Sequence, residues 1–166
     1  LSIATIIDSN DLDDALWCLQ AVEGYDREIR LYAVWCARQV QHLMADQRSL
    51  DALDVAERYA NGQATKEELT AARSAARVAA VRTAYAAEDA RFTVCNGAKD
   101  AAWYAAWAAW YAARSTSEAA ADATWEAARV AARDACSASE AADIYRHEMK
   151  QRQEAELRRI CVEVEG

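Results

Sequence analysis

Ala101-Ala102-Trp103-Tyr104-Ala105-Ala106-Trp107-Ala108-Ala109-Trp110-Tyr111-Ala112-Ala113 runs for thirteen residues without a charge, an amide, a glycine or a proline. At about 100° per residue, Trp103, Trp107 and Trp110 fall on one narrow helical stripe, with Tyr104 and Tyr111 beside it. The rest of the circumference is alanine. A helix without a polar face is covered on nearly all sides in a water-soluble protein, so the stretch predicts a buried central helix with other helices wrapped around it. Its alanine side lets a neighbour approach to the short end of the usual separation of about 8–10 Å. A membrane span needs roughly 20 apolar residues, and this run is shorter and closed by charge at both ends, so no membrane association is expected. An aromatic row of this kind reads first as core and second as a stacking platform for a base or cofactor.

Composition supports the same fold class. The 166 residues include no proline, four glycines and one phenylalanine, and alanine fills 21 of the 45 positions from Ala98 to Ala142. The expectation is all-α: one domain over 1–166, a layered multi-helix bundle or short α-superhelix around the Ala/Trp-rich helix. Residues 1–7 stay unassigned. A formal charge of −8 argues against a nucleic-acid binder, which needs a basic face, and suits a basic protein partner. Cys18, Cys36, Cys95, Cys136 and Cys161 are odd in number and contain no C-x-x-C pair, which reads as small buried residues in a reducing, cytoplasmic setting. The opening heptad lacks the basic region of a signal peptide.

Outward from the centre, acids at Asp8 to Asp14 supply caps for a helix through Ala15, Leu16, Leu19 and Val22 that stops at Gly24. A second helix is expected from Asp26 to about Ala45, with Ile29, Tyr32, Ala33, Cys36, Val40, Leu43 and Met44 as its core stripe. Asp46 to Ser49 reads as a turn, and Leu50 to Asn61 as a helix ended by Gly62. Thr65 and Glu68 form a capping box opening a long or kinked helix towards Asn96-Gly97. Another helix follows Ser115, carrying Trp125 and Arg129 at its solvated edge. A last one starts at Ser137 or Ser139 and reaches about Val162, with Ile144, Met149, Leu157 and Ile160 facing in.

The second helix has an unusual side. Arg27, Leu31, Trp35, Arg38 and His42 follow i, i+4, i+8, i+11, i+15 and make a second stripe about 120° from the first. One reading is that another helix covers this side; the other is an exposed anchor, because Trp and Arg are enriched in binding hot spots. The anchor reading expects Trp35→Ala to leave the melting curve nearly unchanged.

No constellation calls for catalysis. Neither histidine has a second metal ligand at helical spacing, and there is no nucleophile elbow or Gly-rich phosphate loop. No cofactor or metal is expected. Two regions nevertheless carry a resemblance. Arg30 to Val40 contains an A-x-x-x-A-R-x-V helix, Asp46 to Ala56 a D-x-R-x-x-x-A-L-x-x-A turn and helix, and Tyr59 to Gly62 an aromatic-x-x-G stop. An Ala-Ala tract with interspersed aromatics then follows. In this order the chain resembles the immunity proteins of bacterial polymorphic toxin systems, which also occur in phage-borne copies. It differs in carrying Ser49 where a proline often follows the turn arginine. The resemblance implies an all-helical, non-enzymatic protein that protects by binding a toxin.

Two functions follow as expectations. The first is an immunity-type inhibitor whose acidic surface occupies a basic toxin or nuclease, with Arg27, Leu31, Trp35, Arg38, His42, Trp125 and Arg129 as candidate partner-binding residues. The second is a phage-type counter-defence protein that sequesters a nucleotide-like ligand on Trp103, Trp107 or Trp110.

Overall fold

A computed structural model describes residues 2–44, 46–90 and 140–165. The aromatic run at 101–113 and the helix after Ser115 lie outside them, so Trp103, Trp107, Trp110, Trp125 and Arg129 have no described placement. The described residues form an all-α bundle: α1 (Ile3–Ser9), α2 (Leu12–Cys18), α3 (Asp26–Arg38), α4 (Gln47–Ala60), α5 (Lys66–Ala90) and α6 (Glu140–Glu165), with short 3₁₀ turns at Leu19–Ala21 and Gln41–Leu43. No strand occurs among them.

Local signals account for most of the boundaries. Asp11 caps α2 through Asp14 N–H at 2.9 Å, so the expected first helix starts at Leu12 but ends at Cys18, short of Val22, and a further helix, α1, capped by Ser2 through Thr5 N–H, covers most of the residues left unassigned. Asp46 starts α4 by accepting from Arg48 N–H, while the Arg48 guanidinium grips the same carboxylate at 2.9 and 2.6 Å. That replaces the expected turn: Asp46 is an N-cap, and Gln47 to Ser49 are its first helical residues. At the other end Gly62 adopts φ +71°, the left-handed stop that favours glycine. Thr65 and Glu68 bond reciprocally, Thr65 N–H donating to the Glu68 carboxylate at 2.7 Å and Glu68 N–H to Thr65 Oγ1 at 3.2 Å, which is the capping box read from the sequence.

Helix α3 organises the packing. Val34, Ala37, Val40 and Met44 pack with Ala52, Leu53 and Ala56 of α4, Leu69 and Ala76 of α5 and Met149 of α6. Ile29, Tyr32 and Cys36 pack instead with Ile7, Leu12, Ala15, Leu16, Leu19 and Leu157. The stripe expected to face one core is therefore divided between two, with α3 between them. Helix α3 also stops at Arg38 rather than near Ala45: Val40 N–H bonds the Ala37 carbonyl and the chain tightens into the 3₁₀ turn, which carries Val40 and Met44 towards the α4–α5 side.

Helix α6 lies across α1, α2 and α3. Met149 and Leu157 are buried as expected, and Ile160 packs against the second cluster; the side chain of Ile144 is outside the described residues. Gln153 is buried as well, and its carbonyl accepts from the Tyr32 hydroxyl at 3.1 Å. The acids near the start of the chain do more than cap. Asp8 pairs with Arg158 at 2.6 Å and Asp13 with Lys150 at 2.8 Å, tying α1 and α2 to α6. Exposed pairs of this kind each contribute about 0–1 kcal/mol, so apolar burial dominates this contact. Cys36 is buried, but Cys18 and Cys161 are only half-buried, short of the burial expected of all five. None of these three forms a disulfide.

Candidate partner-binding groove

Four of the residues on the second stripe of α3 come together. Arg27, Leu31, Trp35 and Arg38, with Glu28 and Val34, form one wall of an open groove of about 410 Å³. Helix α6 lines the groove through Glu156, Arg159, Ile160 and Glu163, and α4 contributes Glu57. His42 falls outside it. Because α3 ends at Arg38, His42 sits exposed on the following 3₁₀ turn, and helical spacing no longer relates it to the stripe.

Trp35 combines the two readings of its stripe. Its ring lies 6.1 Å from that of buried Tyr32, with 15° between the planes, and it packs against the second core cluster. It is half-buried and lines the groove at the same time. Part of its surface is therefore structural, so a truncation that leaves the melting curve unchanged is no longer expected. Leu31, Val34 and Ile160 give the groove its remaining apolar surface.

Each arginine along the groove is already engaged. Arg38 donates to Asp54 at 2.9 Å, to Glu57 and to Gln41 at 3.1 Å. Burial works against its charge, but the bonds to Glu57 and Asp54 prevail and hold it above the ordinary arginine range. Arg159 donates to Glu156 at 2.6 Å and to Glu163, and these bonds raise it likewise. Arg27 is 56% exposed and bonds Glu28 at 3.2 Å and Asn61 Oδ1 at 2.7 Å. Three guanidiniums thus face Glu28, Glu57, Glu156 and Glu163, with Asp54 at the rim, a surplus of carboxylate.

A second depression adjoins the first. Leu19, Val22, Tyr25, Ile29, Tyr32 and Leu157 enclose a largely apolar cavity of about 210 Å³, with Cys161 on its wall. Glu28 and Ile160 line both hollows and mark the boundary between them. Tyr32 in this lining and Cys36, one turn further along α3, are both pushed well above their ordinary values, chiefly by burial, so neither supplies an ionised nucleophile at neutral pH. Among the described residues no group of three or more His, Cys, Asp or Glu could hold a metal, and no helix is long and apolar enough to cross a membrane.

The sequence reading passed over several of these residues. Glu156, Arg159 and Glu163, with Ile160, which the sequence marks only as facing in, sit more than 110 positions from the α3 wall, and no local pattern connects them to it. Trp17, 64% exposed on α2, had a usable signal: with Leu12, Ala15, Leu16 and Leu19 facing in, helical arithmetic turns position 17 outward. Compared with known proteins, the chain matches no family model, no curated protein and no solved structure.

Proposed function

We propose that this protein is a non-enzymatic, cytoplasmic inhibitor of the immunity type, which neutralises a toxin or nuclease by binding it at the α3–α6 groove. One observation carries the reading: Arg27, Leu31, Trp35 and Arg38, which share a stripe at helical spacing, line a single open groove. Tryptophan and arginine partly sunk in a concave surface and ringed by polar groups have the character of an interface hot spot. The net charge of −8 supports fast encounter with a basic partner, because long-range attraction raises the association rate.

The test uses the product of the neighbouring gene. Co-expressed with this protein, a toxic neighbour is tolerated by the host, and the purified pair co-elutes and gives a saturable heat on titration. Leu31→Gln places an amide in the apolar part of the groove and is expected to weaken capture at least tenfold, with the helical circular dichroism retained. Absence of both protection and complex with the wild-type chain would refute the reading.

A further inference from the structure

We infer that the segment filling the groove is cationic and inserts one bulky apolar side chain into the neighbouring cavity, with its Lys or Arg residues lying over Glu28 and Glu156. This rests on the binding reading above and specifies the chemistry of the partner. The first argument is charge. The groove is lined by four glutamates against three arginines, each arginine already paired with carboxylates of its own chain, so its net charge is negative and favours an incoming cation, which can use the remaining lone pairs of those carboxylates. Glu28 and Glu156 are the least exposed of these acids, at 29% and 17% of their side chains. Charge-assisted bonds made there are better shielded from solvent than those at the rim, where Glu57 and Glu163 stand.

The second argument is shape. The apolar cavity opens beside the groove across the Glu28 and Ile160 boundary and is lined by aliphatic and aromatic side chains. Tyr25, 40% exposed, stands in its lining. An apolar hollow next to a groove of net negative charge suits a segment in which a Leu, Phe, Met or Trp alternates with basic residues. Interfaces concentrate their affinity in such an anchor, surrounded by a polar rim.

The experiment uses the full chain, two fluorescein-labelled amphipathic peptides of equal length, one of Leu and Lys and one of Leu and Glu, and the neighbouring gene's product. The Leu/Lys peptide binds by anisotropy and the Leu/Glu peptide does not. Binding weakens at least tenfold in the double variant Glu28→Gln, Glu156→Gln, and at least tenfold in Cys161→Phe, which fills the cavity. Each variant is first shown by thermal melting to be folded; if Cys161→Phe fails to fold, Val22→Phe fills the same cavity from the other side. Equal binding of both peptides, or binding of the Leu/Lys peptide that neither variant weakens, overturns the inference. So does a dimer of the free chain that the cavity-filling variant dissociates, because the occupant is then a second copy. If the wild type captures its neighbour's product and both variants do so equally well, this inference fails while the immunity reading stands. Peptide binding as expected, without capture of the neighbour, supports the cationic anchor and counts against the immunity reading.

Discussion

Replacing Trp35 by alanine separates the structural from the binding share of its surface. Deleting a fully buried Trp or Phe side chain costs about 3–5 kcal/mol. Trp35 is half-buried, so roughly half of that applies, and the loss of its stack on Tyr32, at 6.1 Å and 15°, adds about 0.5–1.5 kcal/mol. The expected destabilisation is about 2–4 kcal/mol, and at about 2–4 °C per kcal/mol for a chain of this size the melting temperature falls by about 4–16 °C. The assay is urea denaturation followed by circular dichroism at 222 nm, for Trp35→Ala and Trp35→Phe. A phenylalanine keeps a ring over Tyr32 and is expected to recover more than half of the loss. Midpoints within error of wild type for Trp35→Ala would refute the stacked, half-buried placement and return the residue to the role of a fully exposed anchor. Because Trp35→Phe remains folded, its deficit in partner capture reports on the binding surface alone.

Ser49→Ala is expected to be neutral or stabilising by up to about 1 kcal/mol: Ser49 Oγ is buried with no hydrogen-bond partner among the described residues, so alanine removes a desolvated hydroxyl and breaks nothing there; a loss above that size in urea would reveal a bond to it. Gly62→Ala is expected to cost about 1–2 kcal/mol, since φ +71° is strained for any residue with a Cβ even where space is open; unchanged stability would show that the α4 terminus relaxes freely. The Arg48 side chain, opposed by burial and helped by the Arg48 backbone N–H, holds the Asp46 carboxyl down to about 2. Its unfolded value is about 4. For a depressed carboxylate the stabilisation is complete above the unfolded value and is lost as pH falls through the folded one. Wild type is therefore expected to lose stability relative to Asp46→Asn between about pH 4 and pH 2, and parallel pH profiles would contradict the ion pair.

What the sequence by itself determined is what depends on residues three or four positions apart. The alanine content and the missing prolines set the helical class, Thr65 with Glu68 set the start of α5, Gly62 the end of α4, and the spacing Arg27, Leu31, Trp35, Arg38 marked a second face on α3. These signals are local hydrogen bonds and side-chain neighbours on one helix, and they act wherever the helix docks. Asp46 to Ser49 also looked local, yet a turn and a capped first turn share the same residues, and only the Arg48 grip on Asp46 separated them. The tertiary structure decided the rest. It divided the α3 stripe between two clusters, laid Trp35 on Tyr32, joined Asp8 and Asp13 to α6, and brought Glu156, Arg159 and Glu163 across from the α3 arginines. The physical reason is that which helix covers which face depends on burying the most apolar surface at the closest packing among many alternatives. That competition is settled between residues far apart in the chain, where periodicity along one helix carries no information.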